Sequence, residues 1–139
     1  VGMFNIRLKN SDVHLEVETK TGVPRILYGD PVRIKQILVN IIGNAMKFTK
    51  EGYIRLSVSA QSCGADKVKI CFDVKDTGIG IKQEDIPHLF DKYYRSRKSS
   101  GKQGTGLGLA IVKTILENHH FEYGVNSEIG KGSEFWFIM

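Results

Sequence analysis

The strongest constraint on the fold is a pair of alternating runs. Ile54, Leu56, Val58 and Ala60 put an apolar side chain on every second residue, and Val68, Ile70, Phe72 and Val74 do so again after the turn "SCGAD". A period of two places all the apolar groups of a run on one face of a strand. Two such runs flanking a short turn form an antiparallel hairpin with one apolar face, and that face must be covered. The cover is written just upstream. Ile34, Ile37, Leu38, Ile41, Ala45 and Phe48 recur at helical spacing from Pro31 to Thr49, after Asp30 as N-cap and Pro31 at the first helical position, and "KEG" ends the run.

The remaining segments fit the same plan. Val13, Leu15 and Val17 alternate over residues 13–19, and "TGVPRILYG" follows as a loop. The second hairpin strand ends at Asp76, and a short helix is expected from about Gln83, with Pro87 early in its second turn. Residues 96–104, "SRKSSGKQG", read as a mobile polar loop, and a helix is expected from Thr105 to Asn118. Phe121, Tyr123 and Val125 alternate, "SEIGKG" turns, and "SEFWFIM" closes the chain as a strand. The order is β-α-β-β-α-α-β-β. It predicts a two-layer α/β sandwich, a mixed, mostly antiparallel sheet covered on one face by helices. Strands and helices do not alternate, so a doubly wound fold is excluded. At 139 residues the chain suits one domain over 1–139, large enough for a single core.

Charge and cysteine content narrow the function classes. A net charge of +5 suits a polyphosphate ligand, a nucleic acid, or solubility alone. No zinc-finger spacing or RNA-binding signature is present, so nucleic acid is not expected. Cys63 and Cys71 make neither a C-x-x-C pair nor a disulfide framework, and Cys71 reads as a reduced, buried or half-buried thiol. No apolar run approaches a membrane span, and no leader pattern is visible at "VGMFNIRLKNSD". The expectation is a domain excised from a longer protein, cytoplasmic, in a reducing compartment, without direct membrane contact.

Three segments carry candidate chemistry. Asn40, Asn44 and Lys47 fall within an arc of about 60° on the first helix, expected on the side away from the apolar stripe. Two amide oxygens and an ammonium suit a hydrated Mg²⁺ and its phosphates, although a plain solvated face has the same pattern. Asp76 stands where a buried strand stops, in "DTGIGI". It can accept a hydrogen bond from an exocyclic amine, while Gly78 and Gly80 admit a flat ring; an Asp-capped turn is the plainer reading. Gly104, Gly106 and Gly108 precede a helix whose first N–H groups make an anion site. No strand precedes these glycines and no G-x-x-x-x-G-K-[ST] exists, so neither a dinucleotide-binding turn nor a Walker A loop fits. Lys92, Arg95, Arg97, Lys98 and Lys102 lie between the two glycine segments, where they can close over a triphosphate.

Taken in order, these segments resemble the ATP-binding catalytic domain of sensor histidine kinases, within the Bergerat-type (GHKL) ATPase superfamily. "NIIGNAMKFT" (40–49) is similar to the family's N box, "DTGIGI" (76–81) to its G1 box, "LFDKYYR" (89–95) to its F box and "GTGLGLAIVK" (104–113) to its G2 box. The likeness runs from about residue 12 to the C-terminus. It implies a Bergerat fold and roles at the matching positions. Asn44 would be the chief Mg²⁺ ligand with Asn40 assisting, Lys47 would meet phosphate, and Phe48 would lie against adenine. Asp76 would take the adenine amino group, in a pocket shaped by Gly78 and Gly80, and Arg95 would reach the γ-phosphate. Gly104, Thr105, Gly106, Leu107, Gly108 and Leu109 would hinge the nucleotide lid, and Ile81, Tyr94 and Lys102 complete the nucleotide-contacting set.

The resemblance further implies that Mg-ATP donates its γ-phosphoryl group to a histidine on a separate dimerisation domain, which serves a response regulator. The isolated domain would be a monomer, and the parent protein a two-component kinase that is soluble or membrane-anchored. His14, His88, His119 and His120 all lack the family's phosphoacceptor context. Where many relatives carry His-Gly-Gly after the last helix, this chain has His119-His120-Phe121. Position 40 holds an amide, where gyrase- and chaperone-type relatives hold a glutamate that activates water, so slow hydrolysis is expected. The rival readings are a nucleotide-gated ATPase, an anti-sigma-factor-type serine kinase and a non-catalytic nucleotide-binding module.

Overall fold

A computed structural model describes residues 2–7, 12–20, 30–62, 64, 67–90 and 108–139. The elements are β1 (Gly2–Arg7), β2 (Asp12–Thr19), α1 (Pro31–Phe48), β3 (Glu51–Ser62), β4 (Val68–Asp76), α2 (Gly108–Asn118), β5 (Glu122–Glu128) and β6 (Gly132–Ile138). The strands form one six-stranded sheet in the order β1-β2-β3-β4-β6-β5. Only β2 and β3, which α1 connects, run parallel; every other neighbouring pair is antiparallel. The mixed, mostly antiparallel sheet expected from the sequence is therefore present.

The alternation sets the register. Leu56, Val58 and Ala60 stand opposite Val74, Phe72 and Ile70, and Phe72 and Val74 stand opposite Phe137 and Phe135. One apolar face thus runs across β3, β4 and β6, with the Phe72 and Phe137 rings stacked 4.7 Å apart. Ile37, Ile41 and Ala45 of α1 and Val112, Ile115 and Leu116 of α2 bury themselves in the same core. Each fully buried branched or aromatic side chain contributes about 1.5–3 kcal/mol relative to exposure. The helix layer lies on this face.

Three expectations need correction. The chain begins with a strand that the sequence reading did not include: Phe4 and Ile6 of β1 register with Val17 and Leu15 of β2. The short helix expected from Gln83 is only a turn leading to a 3₁₀ segment, Ile86–His88. Ile86 N–H donates to Lys82 C=O at 3.3 Å, but Pro87 has no N–H to extend that ladder. The polar arc of α1 is not on the side away from the core. Asn40 and Asn44 are half-buried at the margin of the buried stripe, and only Lys47 is exposed. The physical reason is the wheel itself: Asn44 follows Ile37 by seven residues, nearly two whole turns. The G2-box helix is described from Gly108, and positions 105–107 lie outside the described residues.

The N-cap expectation holds. The Asp30 carboxylate accepts the Arg33 N–H at 3.2 Å, with Pro31 at the first helical position. Cys71 is a half-buried free thiol whose pKa burial pushes up, so it is a poor nucleophile. No helix among the described residues is long and apolar enough to cross a membrane.

Candidate nucleotide site

The candidate site runs along α1, whose end adjoins the loop after β4 and whose middle, at Asn40, adjoins the start of α2. The loop is tied on three sides. Ile79 N–H donates to Phe48 C=O at 3.3 Å, joining it to the end of α1. Thr77 N–H donates to Tyr53 C=O at 3.1 Å, and the Thr77 hydroxyl accepts the Tyr53 N–H at 3.0 Å, joining it to β3. Gly130 N–H donates to Ile79 C=O at 2.9 Å, and Ile81 N–H donates to the Ser127 hydroxyl at 2.8 Å, joining it to the β5–β6 turn. A loop so anchored presents fixed groups, which lowers the ordering cost of binding a ligand.

Asp76 is the charged group at the centre. It is 5% exposed, and its Oδ1 accepts the Gly78 N–H at 2.9 Å. Burial pushes its pKa up, while hydrogen bonds from the backbone of Gly78 and Ser133 hold it down. An ionised carboxylate accepts several hydrogen bonds, so capacity remains for a ligand's donor.

Two glycines are required here, Gly78 by contact and Gly80 by contact and by its left-handed backbone. A Cβ on Gly78 would lie 2.5 Å from Phe48 O and 2.9 Å from both Asp76 Oδ1 and Thr49 Oγ1. Gly80 has φ +77°, and a Cβ there would lie 2.1 Å from Glu128 O. Both positions therefore exclude every other residue type at this geometry.

Asn40 closes the opposite side. A Cβ on Gly108, the first residue of α2, would lie 3.5 Å from Asn40 Oδ1. The N-box face of α1 therefore adjoins the glycine that opens the G2-box helix, while the end of the same helix adjoins the G1 loop. Ile81 and Leu109 are half-buried and pack on the core, as does Phe90, whose ring meets Tyr123 and Phe135 edge-on at 5.5 and 6.5 Å. Tyr94, Arg95, Lys102, Gly104, Thr105, Gly106 and Leu107 lie outside the described residues.

The residues present suit a hydrated Mg²⁺ only in company. Asn40 and Asn44 offer neutral amide oxygens, and no group of three His, Cys, Asp or Glu among the described residues makes a metal site. Such a donor set fits an ion whose remaining ligands are phosphate oxygens and water.

Sequence reasoning missed Thr49, Ser127 and Ser133. The Ser127 hydroxyl donates to Gly132 C=O at 2.9 Å and lies 2.7 Å from the Ser133 hydroxyl. The available signal was a hydroxyl residue on each side of "EIGKG", at the ends of paired strands.

Similarity to known proteins shows the family and the fold. Residues 29–139 match the family described as histidine kinase-, DNA gyrase B-, and HSP90-like ATPase. The sensor histidine kinase GacS of Pseudomonas protegens is 44% identical over 118 residues, which is 84% of this chain and 13% of that protein. The crystal structure of full-length ShkA in complex with AMPPNP matches at TM-score 0.76 and 34% identity, over 91% of this chain and 25% of that one. The nucleotide-free catalytic domain of the histidine kinase ThkA matches at TM-score 0.72 and 26% identity, over 94% of this chain and 80% of that one. The chain spans only a small part of the curated relatives it matches. It belongs to the histidine kinase-, DNA gyrase B- and HSP90-like ATPase family, and within it is an ATP-binding catalytic domain of the histidine-kinase type.

Proposed function

We propose that this domain binds Mg-ATP and delivers the γ-phosphoryl group to a histidine on a separate helical dimerisation domain, from which a response regulator is served. The observation that carries the reading is the meeting of three segments on one helix: the end of α1 adjoins Asp76 and Gly78, and Asn40 of α1 adjoins Gly108. Segments about 30 residues apart adjoin a helix face whose two amides, Asn40 and Asn44, are half-buried while Lys47 is exposed, which supports a binding face over a purely solvated one.

In this reading Asp76 accepts the adenine 6-amino group, with Gly78, Gly80 and Ile81 forming the base pocket and Phe48 beside it. Lys47 and Arg95 neutralise phosphate charge, Tyr94 and Lys102 add contacts, and residues 104–109 hinge the cover over the nucleotide. Asn44, assisted by Asn40, would hold Mg²⁺, which would supply charge neutralisation at the phosphates. Phosphoryl transfer needs positioning and charge neutralisation more than covalent help from the protein, and these residues supply both. The nucleophile is a neutral imidazole from the partner domain. An amide at position 40 cannot deprotonate water, which favours transfer over hydrolysis.

The test is calorimetric titration with ATP, with and without Mg²⁺, followed by incubation with a histidine-bearing dimerisation domain. Binding should strengthen with Mg²⁺, and Mg²⁺ alone should give no heat, because the proposed metal ligands Asn40 and Asn44 are neutral amides that need the phosphates to complete the ion's shell. The phosphorylated product should be acid-labile. An acid-stable product would mark a serine kinase, and absence of ATP binding would end the reading.

A further inference from the structure

The outer face of α1, opposite the buried stripe, is apolar where a solvated face would be polar. Val32, Val39 and Met46 are 68%, 60% and 45% exposed. They stand seven residues apart, nearly two turns of helix, so they line one row about 21 Å long. Single exposed apolar residues are ordinary on a protein surface, but a heptad row along one helix is the seam that a second helix covers.

The row holds a gap. Gly43 lies between Val39 and Met46 on the same face, exposed and in the interior of α1. No described atom would come within 4 Å of a Cβ there. Nothing among the described residues therefore requires glycine, and glycine weakens a helix interior. An absent side chain lets a neighbouring helix approach closely, because the side chains at the crossing set the distance between axes. Charge gives the partner its character. The charged side chains within α1 are Arg33, Lys35 and Lys47, all cations, and no Asp or Glu occurs from Pro31 to Phe48. Lys35 and Lys47 are exposed and lie about 60° to either side of Val32 on the helical wheel, so they flank the row.

We propose that this face of α1 is a docking surface for an acidic amphipathic helix of a partner protein. Its apolar side chains lie along Val32, Val39 and Met46, its backbone comes closest at Gly43, and its carboxylates meet the flanking cations. The inference is independent of the nucleotide reading, since Val32, Val39, Gly43 and Met46 are outside the candidate site.

The test is fluorescence anisotropy of a labelled three-heptad helical peptide with leucine at positions a and d and glutamate at e and g, and of its counterpart with lysine at e and g. Each is titrated with the full chain as wild type, Val39→Asp and Gly43→Ala. Wild type should bind the glutamate peptide at least about tenfold tighter than the lysine peptide, since like charges are rejected. Val39→Asp should weaken the glutamate peptide about tenfold or more, because it removes apolar area and adds a like charge. Gly43→Ala should weaken it about fivefold by crowding the crossing, while its peptide-free melting temperature rises. A glycine kept only for the helix itself would give the opposite pattern, a lower melting temperature with binding unchanged. No binding of the glutamate peptide, equal or inverted preference between the peptides, or a Gly43→Ala protein that binds like wild type overturns the proposal, even if Val39→Asp fails to fold. Sedimentation of the wild type alone checks the rival occupant: self-association that Val39→Asp abolishes would make it a second copy of this chain and overturn the assignment to an acidic helix.

Discussion

The end of α2 offers a measurement of how one side chain departs from what its backbone wants. His120 has φ +59°, the one positive-φ residue other than glycine among the described residues. The turn it makes is well formed: His120 N–H donates to Glu117 C=O at 3.1 Å, and Phe121 N–H donates to Leu116 C=O at 2.9 Å. These two bonds are the paired closure of a helix end, which glycine at the left-handed position makes without strain. An L side chain there costs about 1–2 kcal/mol. Replacing it by glycine returns about 0.5–1 kcal/mol of that to the unfolded chain as extra freedom. His120→Gly should therefore stabilise the domain by about 0.5–1 kcal/mol, or roughly 2–5 °C in melting temperature for a chain of this size. His120→Ala keeps a Cβ and should gain nothing. Nucleotide affinity should not move, since α2 separates this turn from Gly108 by about 15 Å. Thermal melts of the two variants decide it: a His120→Gly protein no more stable than wild type would refute the claim that the left-handed backbone is a cost here.

The other expectations concern the site and the open face of the sheet. Gly80→Ala should lose at least about 1–3 kcal/mol and most nucleotide binding, since its Cβ would meet Glu128 O; Gly43→Ala, with nothing within 4 Å, should gain up to about 1 kcal/mol, and paired melts test both. Asp76→Asn should weaken ATP binding about 10–100-fold in calorimetry while the domain still melts cooperatively, since an amide oxygen can still accept the Gly78 N–H. Asn40→Glu should raise ATP hydrolysis in a steady-state assay; an unchanged rate in a folded, ATP-binding variant counts against position 40 as the restraint. Burial and the neighbouring Glu134 push the Asp73 carboxyl up to about 7, against the opposing pull of Lys75 and Lys20. The folded chain then binds the proton more tightly than the unfolded one, so stability falls as pH rises from about 4 toward 7. Asp73→Asn should raise the melting temperature at pH 8 and leave it unchanged near pH 4; equal gains at both would reject the assignment.

What was legible in the sequence depended on local periodicity. The inward rows of β3 and β4 were readable because apolar side chains alternate over seven positions in each strand of the hairpin, and α1 because its cap and its stripe agree. The strand β1 was not, because only Phe4 and Ile6 alternate in "GMFNIR" and the partner strand supplies the rest. The segment after Gln83 reads as helical by composition, but the Gln83 side chain donates to Ser127 C=O at 2.7 Å and Pro87 interrupts the ladder. The candidate site reads in the sequence as four separate boxes, of which the N and G1 boxes lie wholly within the described residues. Thr49 was not legible, since a threonine at a helix end looks like an ordinary cap, and the lack of a partner for its hydroxyl among the described residues is visible only once Asp76 and Gly78 are folded against it.

That distinction bears on why the site survives inside a stability-limited core. The Asp76 carboxyl is buried at the end of β4, in register with Ser133 of β6. Removing a carboxylate from water is costly, and the two backbone donors offset only part of the cost, which is why its pKa still rises. A purely structural turn would be served as well by an asparagine, which carries no charge to bury. Under the proposed reading, that residual cost belongs to a group that meets the ligand's donor. The same logic applies to Asn40 and Asn44, two amides at the rim of a buried stripe where leucine would pack without desolvating a polar group. These three positions are buried or half-buried polar groups at places where packing alone would favour an apolar side chain.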